Sequence, residues 1–352
     1  MKQIILHDIQ ALLPILSDKK VLLVCGQAFD QLEIRDPLKR LNAVRFSEFR
    51  PNPVYEDVCK GVERFRETGC DAILAVGGGS AIDTAKCIKL FCKMDPSVNY
   101  LQQEYTDTGI FLAAIPTTAG TGSESTRHAV VYFQGEKQSI SHPSLVPDHI
   151  CLLPDVLKNL PLYQKKCTML DALCQAIESW WSVNSTEESI AFSRGAIETI
   201  LGHWKAYLEE NDPAAAEKIL LAANLAGKAI NITATTAAHA MSYKLTSLYG
   251  IPHGHAVAVC LPEVWEAMLQ PTAVCTDPRG KEHLRQVLAD LPMSVAQFRQ
   301  LLEHLGMEYP TAGSRDRELE LLAASVNPVR LKNNPVSLDK NTLKAMYERI
   351  VQ

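Results

Sequence analysis

The sequence predicts an α/β protein of two parts. An N-terminal doubly wound α/β domain, residues 1–155, precedes an all-helical domain, residues 156–352. Three observations lead there. Short apolar runs alternate with helical spacing as far as about residue 155. Two of those runs end directly in loops of small residues. Beyond that point strand signals nearly vanish while helical periodicity continues.

The first strand expected is KKVLLVC at 19–25, a buried apolar run closed by Gly26. RFSEF at 45–49 is the second, stopped by Pro51-Asn52-Pro53, and helical spacing follows from 54 to 68. AILAV at 72–76 is the third. It runs into Gly77-Gly78-Gly79-Ser80, with a helix expected from 81 to about 92. IFLAAI at 110–115 is the fourth, ending in PTTAGTGS, and HAVVYF at 128–133 is a fifth with a turn at Gln134-Gly135. Strands alternating with helices imply a parallel sheet. In the C-terminal part, helices are expected over 163–182, 187–210, 213–230, 233–248, 254–269, 281–291, 294–305, 315–325 and 338–350, with a loop at 326–336.

At 352 residues, 47% hydrophobic and 21% charged, the chain has the composition of a soluble protein with a well-buried core. A net charge of −5 gives no electrostatic reason to expect nucleic acid or an anionic membrane as partner. No run approaches the ~20 apolar residues of a bilayer span. The N-terminal stretch is interrupted by His7, Asp8 and Gln10 and does not read as a secretory signal. Ten scattered cysteines, none in a CxxC pair, suit buried thiols in a reducing cytoplasm, the expected location.

Three groups of residues have the chemistry of a site. Gly77, Gly78, Gly79 and Ser80 lie between a strand and a helix, where glycines allow close backbone approach and the helix N-terminus favours a phosphate. The motif is neither GxGxxG nor a P-loop, because Lys86 stands too far along. TTAGTGSES at 117–125 is a second small-residue loop after a strand. Two such loops in one sheet favour a dinucleotide over a mononucleotide. The third group is His239 and His253, fourteen positions apart on consecutive helices joined by Gly250-Ile251-Pro252. A histidine in an apolar helix is more often packed than liganded. Asp171, read as opening the helix DALCQAIESWW, adds a carboxylate and completes a three-donor set for a divalent metal. As a helix opener it would equally serve as an N-cap. Gln175, four residues on, shares its face, and Tyr243, four after His239, faces the same place as a candidate acid–base group.

With those residues in view, the sequence resembles the iron-containing (group III) alcohol dehydrogenases. The likeness rests on PNP at 51–53, GGGSAIDTAK at 77–86, PTTAGTGSE at 116–124, DALCQAIES at 171–179, the His239 region and PHG at 252–254. The resemblance implies a dinucleotide-binding domain, a helical domain, a metal in the cleft between them, and a homodimer. Gly77–Ser80 would hold the pyrophosphate, and Asp83, Thr117, Thr118, Thr121 and Lys137 would line the rest of the cofactor site. Asp171, His239 and His253 would hold the metal, Fe2+ or Zn2+. This chain departs from the family in three places. Gln175 stands where the iron enzymes usually have a histidine, so either its amide oxygen is a ligand or three protein donors and water serve. Tyr243 stands where many members carry another histidine. Gly26 stands where NAD-preferring members often have aspartate, which implies that NADPH is used as well as NADH.

ESWWSVNSTEES at 178–189 and RLKNNPV at 330–336 resemble a narrower branch, the phosphonoacetaldehyde reductases. Arg127, Arg330 and Lys332 would then be candidates for holding a phosphonate, although each also reads as a solvated surface charge. The reaction implied is reversible reduction of phosphonoacetaldehyde to 2-hydroxyethylphosphonate, with a general short-chain aldehyde or alcohol dehydrogenase as the main alternative. A dehydroquinate-synthase-like lyase and a metal-free nucleotide sensor are more remote readings.

Overall fold

The computed structural model describes residues 3–352. It divides into two compact units. One runs to Leu160 and takes in Asn211–Asn224; the other comprises Pro161–Glu210 and Leu225–Gln352.

The first unit is built on strands β1 (Ile4–Leu6), β2 (Val21–Cys25), β3 (Ala43–Phe46), β4 (Ala72–Gly77), β5 (Phe111–Pro116) and β8 (His149–Cys151). They form one parallel sheet in the order β1-β8-β5-β4-β2-β3. Every residue of β2 is buried, as are the first five of β4. That is why these strands read as unbroken apolar runs and not as alternation. Helices α1 (Ile9–Leu16), α2 (Arg35–Leu38), α3 (Tyr55–Thr68) and α4 (Gly79–Phe91) lie between the strands in sequence. The chain leaves β2 for β3 on one side and returns to β4 on the other. Strand order therefore reverses between β2 and β4, the place where open α/β sheets take their ligands.

The sequence reading differs from the structure here in detail. The fifth expected strand is not part of the parallel sheet. It is β6 (His128–Phe133), which pairs antiparallel with β7 (Glu136–Ser141) in a separate hairpin. The two places beyond β5 go instead to β8 and β1, each only three residues long and too short to show a pattern. The second strand ends at Phe46, and α4 begins at Gly79, directly on the glycine run.

The second unit is helical. Its helices are α5 (Leu162–Trp181), α6 (Glu187–Glu209), the later part of α7 (Pro213–Thr233), α8 (Ala237–Tyr249), α9 (His253–Leu269), α10 (Lys281–Ala289), α11 (Val295–His304), α12 (Arg315–Ser325), α13 (Pro328–Leu331) and α14 (Lys340–Ile350). Asp171 is the tenth residue of α5 and not at a helix start, so the N-cap reading of that residue is wrong. The expected 326–336 loop contains the short helix α13, capped by the Asn327 side chain. All ten cysteines are free thiols, and most are buried. Among the described residues, no helix is long and apolar enough to cross a membrane.

Candidate active site

In the first unit, the glycine run forms the turn from β4 into α4. Gly77 ends β4, Gly78 is the N-cap, and Gly79 opens the helix. The β5 loop packs directly against this turn. Thr117 donates its backbone N–H to the Gly77 carbonyl at 3.0 Å. A Cβ on Gly78 would stand 3.1 Å from the Thr118 hydroxyl, and one on Gly79 would stand 2.9 Å from the Thr121 methyl. Two of the three glycines are therefore needed simply to bring the two loops together. Gly26 is different. Its φ of −78° suits any residue, and nothing lies within 4 Å of the Cβ it lacks. It follows Cys25, which pairs with Val76, so it sits at the reversal point beside Gly77 with open space before it.

Several polar side chains fix the loops. Ser80 accepts the Asn52 N–H at 3.1 Å, which ties PNP to the glycine run. Asp83 accepts from the Ser123 hydroxyl at 2.5 Å and from the Val130 N–H at 3.0 Å. Burial pushes its carboxyl up, opposed by the Lys86 ammonium and more weakly by Lys137 on β7. Lys86 is fully buried, with Nζ inside a cage of five oxygens from Ser123, Thr126 and His128 at 2.5 to 3.2 Å. That cage holds 123–128 onto α4. Desolvation pulls its pKa down to about 8. Lys86 was too far along for a phosphate-binding lysine, and the structure gives it this other role. Arg127 is exposed, immediately before β6.

In the second unit, Asp171, Gln175 and Glu178 occupy positions i, i+4 and i+7 of α5 and so share one face. All three are buried. His239 projects from the first turn of α8, and His253 is the first residue of α9. Gly250 ends α8 in the left-handed conformation (φ 67°), which lets the chain reverse in three residues before His253. Gly254 sets how closely α9 approaches α5. A Cβ there would lie 1.9 Å from the Cys167 carbonyl oxygen and 3.0 Å from the Asp171 Cβ.

The result is a three-donor cluster. Asp171, His239 and His253 offer ligand atoms that all lie within 4.8 Å of one another. His239 Nε2 is 3.3 Å, and His253 Nε2 3.9 Å, from Asp171 Oδ1. His239 Nε2 is a buried nitrogen whose nearest polar neighbour is that Asp171 carboxylate. Its other nitrogen, Nδ1, donates to Glu178 Oε2. Burial pulls the His239 imidazole down, but the Glu178 and Asp171 carboxylates outweigh it and raise the pKa to about 10. The same carboxylates would favour a metal cation there, and a ligating nitrogen would have to give up its proton to hold one. Oxygen and nitrogen donors in this mixture suit Zn2+ or Fe2+, so the residues fit the metal.

Tyr243 stacks on His253, with ring centroids 5.8 Å apart and planes 12° from parallel. Arg330, on α13, covers the Tyr243 ring at 5.1 Å and reaches its hydroxyl at 3.4 Å. The structure thus brings Arg330 to the metal-ligand cluster through one aromatic ring, while Lys332 lies exposed beyond α13. His255 is a packed residue. It bonds the Tyr163 hydroxyl at 2.7 Å and the Glu308 carbonyl at 2.8 Å. Glu178 went unnoticed in the sequence, where a glutamate late in a helix reads as surface. Its spacing of seven from Asp171 was the available signal.

The family model described as iron-containing alcohol dehydrogenase matches residues 3–154, and that of the family's C-terminal part matches 166–351. The chain belongs to the iron-containing alcohol dehydrogenase family. Members of that family and the solved structures that match are alcohol dehydrogenases and related oxidoreductases acting on CH–OH donors. The probable alcohol dehydrogenase EutG of Escherichia coli is 38% identical over 61% of this chain, and the match spans 55% of that relative. The phosphonoacetaldehyde reductase of Streptomyces viridochromogenes is 30% identical over 82% of this chain and 78% of its own length. Among structures, the iron-containing alcohol dehydrogenase of Thermotoga maritima superposes with a TM-score of 0.84 at 26% identity, covering 99% of this chain and 98% of that one. The sulfoacetaldehyde reductase of Bifidobacterium kashiwanohense, solved in complex with NAD+, gives 0.86 at 25% identity, covering 99% and 96%.

Proposed function

We propose that this member of the family is a metal-dependent, NAD(P)H-linked reductase of a short aldehyde bearing a tetrahedral oxyanion, with phosphonoacetaldehyde as the substrate and 2-hydroxyethylphosphonate as the product. The observation that carries the metal-dependent part is the convergence of Asp171, His239 and His253 within 4.8 Å. The phosphonate rests on a relative that covers 82% of this chain and on Arg330, a guanidinium one ring away from the proposed metal ligands.

In this reading Asp171, His239 and His253 hold the cation, and Gln175, on the same buried face of α5, offers a further neutral oxygen. When bound, the metal supplies Lewis-acid polarisation of a carbonyl and the nicotinamide supplies hydride. The residues of the chain do the rest. The turn at Gly77–Ser80 and the N-terminus of α4 receive the pyrophosphate. Asp83, Thr117, Thr118, Thr121 and Lys137 shape the remainder of that site. Gly26, with open space before it and no carboxylate to repel a 2′-phosphate, admits NADPH beside NADH. Tyr243 holds the His253 ring by stacking, and its hydroxyl, beside the Arg330 guanidinium, is placed to pass a proton to the product oxygen. Arg330 takes the oxyanion of the substrate, with Arg127 and Lys332 as weaker candidates because both are exposed.

The test is NADPH and NADH oxidation with phosphonoacetaldehyde beside sulfoacetaldehyde and an uncharged aldehyde of similar size. Metal-stripped protein is reloaded with Fe2+ or Zn2+ for each. Metal-dependent turnover with at least tenfold preference for the phosphonate is expected. Equal rates on the uncharged aldehyde would support the general alcohol dehydrogenase to which the EutG relative points. No oxidation under any condition would overturn the reductase reading.

A further inference from the structure

We infer that Glu178 is a positioning residue of the cation site, which sets the tautomer of His239 and ties metal affinity to the start of helix α8. The inference rests on the metal-binding reading above.

Glu178 is completely buried in α5, an expensive place for a carboxylate unless several donors meet it. It has five. Oε1 accepts from the backbone N–H groups of Thr236, Ala238 and His239 at 3.1, 3.0 and 3.3 Å, and from the Thr236 hydroxyl at 2.7 Å. Oε2 accepts from His239 Nδ1. Helix α8 therefore lacks a cap of its own. Thr236 is at the N-cap position, yet its side chain makes no capping bond and donates to Glu178 instead. The carboxylate of a neighbouring helix does the capping, where the free N–H groups and helix dipole favour negative charge.

One carboxylate thus performs two tasks. Oε1 fixes where α8 begins, and Oε2 fixes which way the ring of its third residue faces. A carboxylate only accepts, so Nδ1 must carry the proton of that bond, and Nε2 is left as the donor atom beside Asp171. Ligating histidines are commonly oriented in this way by an outer carboxylate, whose loss lowers metal affinity about 10–100-fold. Trp181, three residues on in α5, closes the network by donating its indole N–H to Thr236 Oγ1 at 3.0 Å.

Glu178→Gln separates the two tasks. The amide oxygen can still accept from the start of α8, but the amide nitrogen now donates toward Nδ1 and favours the opposite tautomer, with the proton on Nε2. Zinc affinity is measured by chelator competition on the full chain. Glu178→Gln should lower it by about 10–100-fold, while Thr236→Val, which disturbs the cap and leaves the carboxylate on Nδ1, should stay within about threefold of wild type. Equal affinity of Glu178→Gln and wild type would overturn the inference, as would equal losses in both variants, since a purely structural cap predicts the latter. A second measurement does not depend on either variant folding. Nitrogen-15 spectra of the zinc-loaded wild-type chain should show His239 protonated at Nδ1; a proton at Nε2 would also overturn the inference. A wild-type chain that binds neither Zn2+ nor Fe2+ would overturn the metal-binding reading itself, which is a separate result.

Discussion

The two units solve the problem of buried charge in opposite ways. In the first, the cation is part of the chain: Lys86 sends an ammonium into five oxygens and so holds the loop that follows β5. In the second, the chain contributes one carboxylate and two imidazoles from three helices, a set suited to a charge from outside. The first arrangement makes a rigid cradle. The second gathers donors for a charge the chain does not itself carry, with Glu178 bonded behind His239. A lysine is a structural answer and a metal a chemical one.

The strongest way to break this contrast is to remove a donor. His239→Ala should abolish metal retention and lower kcat/KM for aldehyde reduction by at least about 1,000-fold, since Lewis-acid stabilisation is worth several kcal/mol. Nucleotide binding by the first unit should persist. Metal content and cofactor titration check the two halves, and retained metal would refute the ligand assignment.

Spacing comes next. Gly254→Ala places a methyl 1.9 Å from the Cys167 carbonyl, where backbone cannot yield cheaply. Forced overpacking costs about 1–3 kcal/mol. Here it should also draw His253 away from Asp171. We expect a lowered unfolding midpoint together with weaker zinc binding; a stable variant of unchanged zinc affinity would show that the α5–α9 distance is not the constraint.

A third change sharpens the first unit alone. A Cβ at Gly26 meets no atom within 4 Å, so Gly26→Asp should leave stability within about 0.5 kcal/mol. It should cut kcat/KM with NADPH by about tenfold or more and spare NADH, because a carboxylate there repels a 2′-phosphate. Steady-state kinetics with both cofactors decides it.

The smallest effect is a pH slope. Burial lowers the pKa of Lys86 from 10.5 to about 8, so between those values the unfolded chain keeps a proton that the folded one releases. Raising the pH through this window therefore favours the folded state. The stability advantage of wild type over Lys86→Met should grow by about 1 kcal/mol per pH unit between 8 and 10. Denaturant unfolding at three pH values would show it, and a flat difference would mean that the ammonium stays charged in its cage.

Much of this was legible in the sequence, for identifiable reasons. The apolar runs of β2 and β4 are buried on every side, so they stood out, and the glycine loop followed from its place after β4. His239 and His253 were conspicuous as polar residues in apolar helices beside a Gly-Ile-Pro break. What escaped depends on contacts distant in sequence. Strands β1 and β8 are defined by their neighbours in the sheet and not by three-residue patterns of their own. The β6–β7 hairpin has a strand's composition, yet pairing decides its sheet. Asp171 was read as a helix opener although helical spacing was already expected from 163, and α5 indeed begins at Leu162. Glu178 acquires its meaning only when the start of α8 arrives sixty residues later in the chain.

The indole of Trp181 has a practical consequence. It is edge-on to Trp265 at 5.4 Å and one hydroxyl away from Glu178, inside the bonded chain that leads to His239. A charge bound at the far end of that chain should alter the field at this indole, so the ultraviolet emission of the wild-type protein should change on adding Zn2+, and a Trp181→Phe variant should lose that change.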